Sequence, residues 1–72
     1  MEIHVFKTDI NSPKRIDAFA WVFNQHPYID NWNVDLQDRD KVLRVEAKET
    51  LTETDIIDMI HTFGFTCEAL TD

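Results

Sequence analysis

The sequence predicts an α+β sandwich of order βαββαβ, with two helices packed on one face of a four-stranded antiparallel sheet. Three observations predict it. Two segments place apolar residues at offsets 0, 3, 4 and 7 behind a capping residue, which is one face of a helix. Short segments around them alternate apolar and polar residues with the period of a strand. The whole pattern then recurs after 40 residues.

The first strand is expected over Glu2–Thr8, a run of β-formers whose alternation puts Ile3 and Val5 on the core face. Asp9-Ile10-Asn11 reads as a loop and Ser12-Pro13 as a helix start. The serine oxygen can accept from an unpaired amide of the first turn, and proline there forfeits only a donor that has no partner. Ile16, Phe19, Ala20 and Phe23 form the buried stripe of the first helix. Pro27 disfavours helical geometry at His26, so the helix ends near Asn24 to His26. Trp32, Val34 and Leu36 mark the second strand, Gln37-Asp38-Arg39-Asp40 a polar turn, and Leu43, Val45 and Ala47 the third strand. Thr52-Glu53-Thr54-Asp55 is a capping box with Asp in place of the usual Glu. Ile56, Met59, Ile60 and Phe63 repeat the helical stripe, and Gly64 follows where a helix end favours a left-handed residue. Phe65 to Leu70 is the last strand.

Adding 40 to Ile3, Val5, Ser12, Ile16, Phe19, Ala20, Phe23 and Asn24 reaches Leu43, Val45, Thr52, Ile56, Met59, Ile60, Phe63 and Gly64. Strand falls on strand, cap on cap and stripe on stripe, so the chain reads as two β-α-β halves. Right-handed crossovers in both halves stack the helices on one side of the sheet, which is the ferredoxin-like arrangement.

Composition narrows the function classes. The 72 residues hold one domain, 1–72, with 43% apolar and 29% charged residues, ordinary for a globular chain. The net charge of −7 opposes nucleic acid and anionic membrane. No apolar run approaches the roughly 18 residues of a membrane span, and Met1 leads into a charged segment with no secretory leader. One cysteine forms no internal disulfide, so the expected compartment is the cytoplasm. Gly64 is the only glycine, which leaves no phosphate-cradling loop, and no serine or cysteine stands in a nucleophile motif. The acidic residues fall on outer faces and turns, where solvation accounts for them. No enzyme and no cofactor are expected.

Pro27-Tyr28-Ile29 followed by Trp32-Asn33-Val34-Asp35, together with Thr52 through Ile60 leading to Gly64-Phe65, resembles the heavy-metal-associated domain family of copper chaperones and metal-ATPase domains. The resemblance covers nearly the whole chain and implies that family's fold. Family members hold their ion in a Met-x-Cys-x-x-Cys loop between the first strand and first helix, where two thiolates suit a soft ion such as Cu(I), or Zn(II). Here that stretch reads Lys7-Thr8-Asp9-Ile10-Asn11-Ser12-Pro13-Lys14-Arg15. Counting forward from Val5 puts the family's cysteines at Ile10 and Pro13, and counting back from Ile29 puts them at Ser12 and Arg15. Neither register meets a sulfur, so no metal ligand carries over.

Oxygens from Asp9, Asn11 and Ser12 fall short of a calcium site, and a helix entry with a capping serine accounts for them. Cys67 alternates with Phe65 and Ala69 and is expected in the core. His4, His26 and His61 show no ligand-pair spacing; His26 near a helix end is read as a dipole contact.

Two features exceed the needs of a core. Trp21 stands about 140° around the helix from Ile16, so it is expected to be exposed. His4, Phe6, Val42, Arg44 and Leu70 are expected on the open sheet face. Trp21, Phe6, His4, Val42 and Arg44 therefore form the candidate interaction surface, with a protein partner favoured over nucleic acid or membrane. The leading expectation is a non-enzymatic binding or accessory domain with the heavy-metal-associated fold and no thiolate metal site. One alternative is a metal-binding or trafficking module with an unusual site, such as Cys67 with histidines. Another is a small-molecule regulatory domain like the ACT domains, which share the topology and dimerise through sheet edges; that reading rests on fold analogy alone.

Overall fold

A computed structural model describes residues 1–70. The elements run β1 (Glu2–Thr8), α1 (Pro13–Gln25), β2 (Ile29–Asp35), β3 (Val42–Ala47), α2 (Glu53–Thr62) and β4 (Cys67–Ala69). The sheet order is β2-β3-β1-β4, with every neighbouring pair antiparallel. The ferredoxin-like βαββαβ sandwich is therefore the fold. No helix among the described residues is long and apolar enough to cross a membrane.

Both helix starts form as the sequence predicts. The Ser12 hydroxyl accepts the Arg15 amide at 3.3 Å, with Pro13 in the first turn. The Thr52 hydroxyl accepts the Asp55 amide at 3.2 Å while the Asp55 carboxylate accepts the Thr52 amide at 3.0 Å, a closed capping box. The end of α2 is a Schellman turn. Gly64 at φ +90° donates its amide to His61 O at 2.9 Å, and the Phe65 amide reaches Ile60 O at 3.3 Å.

The end of α1 differs from that of α2. Asn24 stays inside the helix, and His26 closes it in extended geometry (φ −72°, ψ 124°) because Pro27 follows. Asn24 instead accepts the indole N–H of Trp32 at 2.8 Å, tying α1 to β2.

The core is aromatic at its centre. Phe19 is fully buried, and its ring lies 5.0 Å from Phe23, 5.3 Å from Trp32, 6.1 Å from Phe65 and 6.2 Å from Phe63. Phe19 thus joins both helices to β2 and to the approach of β4. Ile56, Ile60, Leu43 and Val45 complete the layer, each fully buried.

One strand faces the other way from its prediction. Phe6 pairs with Leu43 and His4 with Val45. Residues directly opposite in an antiparallel pair share a face, so Phe6 and His4 point at the helices and not at the open side. Phe6 is fully buried, whereas Ile3 is 52% exposed. β1 carries apolar residues on both faces, Ile3 and Val5 on one and Phe6 on the other, and alternation alone does not choose between them. The register with β3 decides, and it seats the larger ring of Phe6 in the core. The strand faces of the two halves accordingly recur one residue out of step with their helices.

β2 begins earlier than predicted, at Ile29, and its pairing with β3 shifts register between Ile29 and Asn31. β4 is shorter than predicted, at three residues. The turn between β2 and β3 places Lys41 at φ +46°. Its ammonium donates to Leu36 O at 2.9 Å and its amide to Asp38 O at 3.0 Å, which holds this left-handed residue in place.

Candidate functional site

The connection from β1 to α1 is packed and internally bonded. Thr8, buried at the end of β1, donates its amide to Asp40 O at 3.0 Å and its hydroxyl to Lys41 O at 2.6 Å. The same hydroxyl accepts the Ile10 amide at 3.2 Å. Ile10 is fully buried and anchors the loop in the core. Asp9 accepts the Thr66 amide at 2.9 Å, closing the loop against the entry to β4. Thr8 Oγ1, Asp9 Oδ1 and Ser12 Oγ thus each accept one of the chain's own amides. Sequence reasoning left Thr8 and Ile10 without a role; a β-branched polar residue followed two positions later by an isolated isoleucine was the available signal.

Cys67 is buried on β4 opposite Thr8, as predicted, and burial pushes its thiol up to about 12. An open depression of ≈ 340 Å³ lies beside it, lined by Lys7, Asp9, His61, Thr66 and Glu68 among others. Among the described residues no three His, Cys, Asp or Glu side chains are placed to hold a metal ion. The three histidines are dispersed. His26 accepts the Tyr28 amide at 3.1 Å through Nδ1 and packs against the Tyr28 ring. His61 occupies the last turn of α2, where its imidazole meets the negative helix end. His4 faces the core beside Phe6, and among the described residues its buried Nε2 has no hydrogen-bond partner.

The predicted interaction residues separate into three groups. His4 and Phe6 leave the open face for the physical reason given above. Val42 and Arg44 do project there, with Arg44 3.5 Å from Glu46; Ile3 and Leu70, 52% and 38% exposed, also stay open to solvent. Trp21 stands alone on the solvent side of α1, 68% exposed. No structural feature joins Trp21 to the sheet residues, so they form two separate surfaces on opposite layers. Two turns before Trp21, Lys14 and Arg15 occupy a first helical turn that has no acid, and sequence reasoning passed over them.

No protein-family model and no curated protein matches this sequence. Solved structures do. The complex of Atx1, Cu(I) and Ccc2a matches with a TM-score of 0.85 at 15% identity, over 100% of this chain and 99% of that one. A copper-binding domain from HMA7, a P-type ATPase, matches with a TM-score of 0.82 at 18% identity, over 99% of this chain and 96% of that one. The heavy-metal-associated domain of a copper chaperone for superoxide dismutase gives 0.78 at 14% identity, over 96% and 66%. At these identities the likeness is one of backbone. The chain has the fold of the heavy-metal-associated domains.

Proposed function

We propose that this chain is a non-enzymatic protein-interaction domain that uses the heavy-metal-associated scaffold without a thiolate ion site. The observation that carries the reading is the β1–α1 connection. It contains no sulfur or imidazole, buries Ile10 completely and commits Asp9 and Ser12 to backbone amides. A soft ion is held best by sulfur donors, or by imidazole, and none stands in this connection. The lone cysteine offers neither exposure nor a thiolate near neutral pH.

Calorimetric titration with Cu(I) and with Zn(II) tests this. The expected result is no tight one-to-one binding; sub-micromolar capture by the β1–α1 loop overturns the reading. The structural neighbours favour a second reading, a metal-trafficking module, because the structures it resembles are those of copper-binding domains. Its most direct form would recruit Cys67 beside the depression that also carries His61 and Asp9. Cys67→Ser separates the two: an affinity that vanishes with the thiol supports trafficking, and a chain that binds neither ion before or after substitution supports the interaction domain.

A further inference from the structure

We infer that the solvent face of α1 docks an acidic amphipathic segment of a partner protein, with Trp21 as the apolar anchor and Lys14 and Arg15 as the charge contacts. This rests on the interaction-domain reading and adds the surface and the chemistry of what it takes. Lys14, Ala18, Trp21 and Gln25 are spaced 0, 4, 7 and 11 along the helix and are all exposed. They form one line, opposite the stripe of Ile16, Phe19 and Phe23. The small Ala18 leaves the indole open on that side, and Trp21 remains 68% exposed. An aromatic ring of this size, rigid and largely exposed, is among the side chains that most often anchor an interface.

The charges choose the partner. Among the described residues Lys7 meets Asp40, Arg44 meets Glu46, Lys48 meets Asp30, and the Lys41 ammonium bonds Leu36 O. Among the described residues Lys14 and Arg15, and Arg39 in the turn between β2 and β3, meet no acid within ion-pair distance, and Asp17 lies one turn on from Lys14 and one turn before Trp21. Lys14 and Arg15 also sit at the positive end of the helix, with no acid in that first turn. Two cations there are locally unfavourable, and the fold returns nothing for them. Carboxylates on a partner would. A second copy of this chain is disfavoured, since both copies carry −7. A short acidic segment is less opposed: at physiological salt the screening length is about 8 Å, so remote acids fade while contact pairs persist.

The test uses the full chain and two synthetic helical peptides with the same leucine stripe, one flanked by glutamate and one by lysine. Amide shifts are followed by NMR with a metal chelator present. Binding of the glutamate peptide is expected to shift residues of α1, and Trp21→Ala and the Lys14→Glu, Arg15→Glu double variant are each expected to weaken it about tenfold or more. The proposal is overturned by equal or tighter binding of the lysine peptide, by shifts confined to the sheet face, by no binding, or by a Trp21-dependent dimer in sedimentation. Cu(I) capture by the loop would overturn the proposed function without moving α1 shifts in this titration. An inert α1 would sink the docking inference and leave the loop reading standing.

Discussion

Replacing His4 with leucine should stabilise this domain. The imidazole faces the core with its side chain 11% exposed, and among the described residues its buried Nε2 has no hydrogen-bond partner. The nearest candidate, a Glu2 carboxylate oxygen, is 3.7 Å away on a half-exposed side chain, which is too far for a hydrogen bond. A buried polar atom left in this state costs about 1–3 kcal/mol relative to an apolar group of the same shape. Leucine has nearly the volume of histidine, so neither a cavity nor overpacking opposes the change. The ring contact with Phe6, at 6.3 Å between centroids, would be lost, and such contacts contribute about 0.5 kcal/mol at the weak end of their range. The net expectation is a gain of about 1 kcal/mol. In a domain of this size that moves the melting temperature up by roughly 4–8 °C. Urea melts of His4→Leu and His4→Gln check it: leucine should raise the midpoint at unchanged slope, and glutamine, which keeps a polar group there, should not. A midpoint at or below that of the parent would refute the reasoning, because Nε2 would then have to be satisfied in solution.

Two further predictions concern titration and capping. Burial raises the Cys67 thiol to about 12, above its unfolded range, so its contribution to stability is whole below about pH 8.5 and declines as pH rises toward 12. A thiol reagent at pH 8 should modify Cys67 slowly in the folded chain and rapidly in denaturant, and equal rates would contradict its burial. The Thr52 backbone amide, and secondarily its hydroxyl contact, hold the Asp55 carboxyl below the usual Asp range. Stability from that group is therefore present above the unfolded carboxylate range and is lost as pH falls through the lowered folded value. Thr52→Ala should cost about 1 kcal/mol in urea melts and, since alanine keeps the backbone amide that is the larger cause, move the Asp55 titration, read by carbon NMR, only part of the way toward the ordinary range; an unmoved midpoint would show that the capping box contributes little.

The helices and their caps were legible in the sequence because each depends on local chemistry. Ser12 with Pro13, the Thr52–Asp55 box and Gly64 act within one turn of themselves, and four apolar residues at helical spacing leave one possible buried face. From these, the βαββαβ order and the sandwich follow. Trp21 and Cys67 were placed correctly for the same reason, since each is positioned by the period of its own element. The absence of sulfur in the β1–α1 stretch is a property of the sequence itself.

Other features needed the assembled tertiary structure. β1 carries Ile3 and Val5 on one face and His4 and Phe6 on the other, so period two is silent, and only the pairing of Phe6 with Leu43 orients the strand. Lys41 adopts a left-handed conformation because Thr8 and Leu36, distant from it along the chain or across the turn, bond to it. Ile10 becomes a loop anchor only when the assembled core encloses it. That Lys14 and Arg15 meet no acid among the described residues likewise depends on where the acids of the folded chain lie. Local chemistry sets which elements form and where they stop; long-range pairing sets which side of a two-faced strand is buried and which charges are left for a partner, because those outcomes depend on groups far apart in the chain.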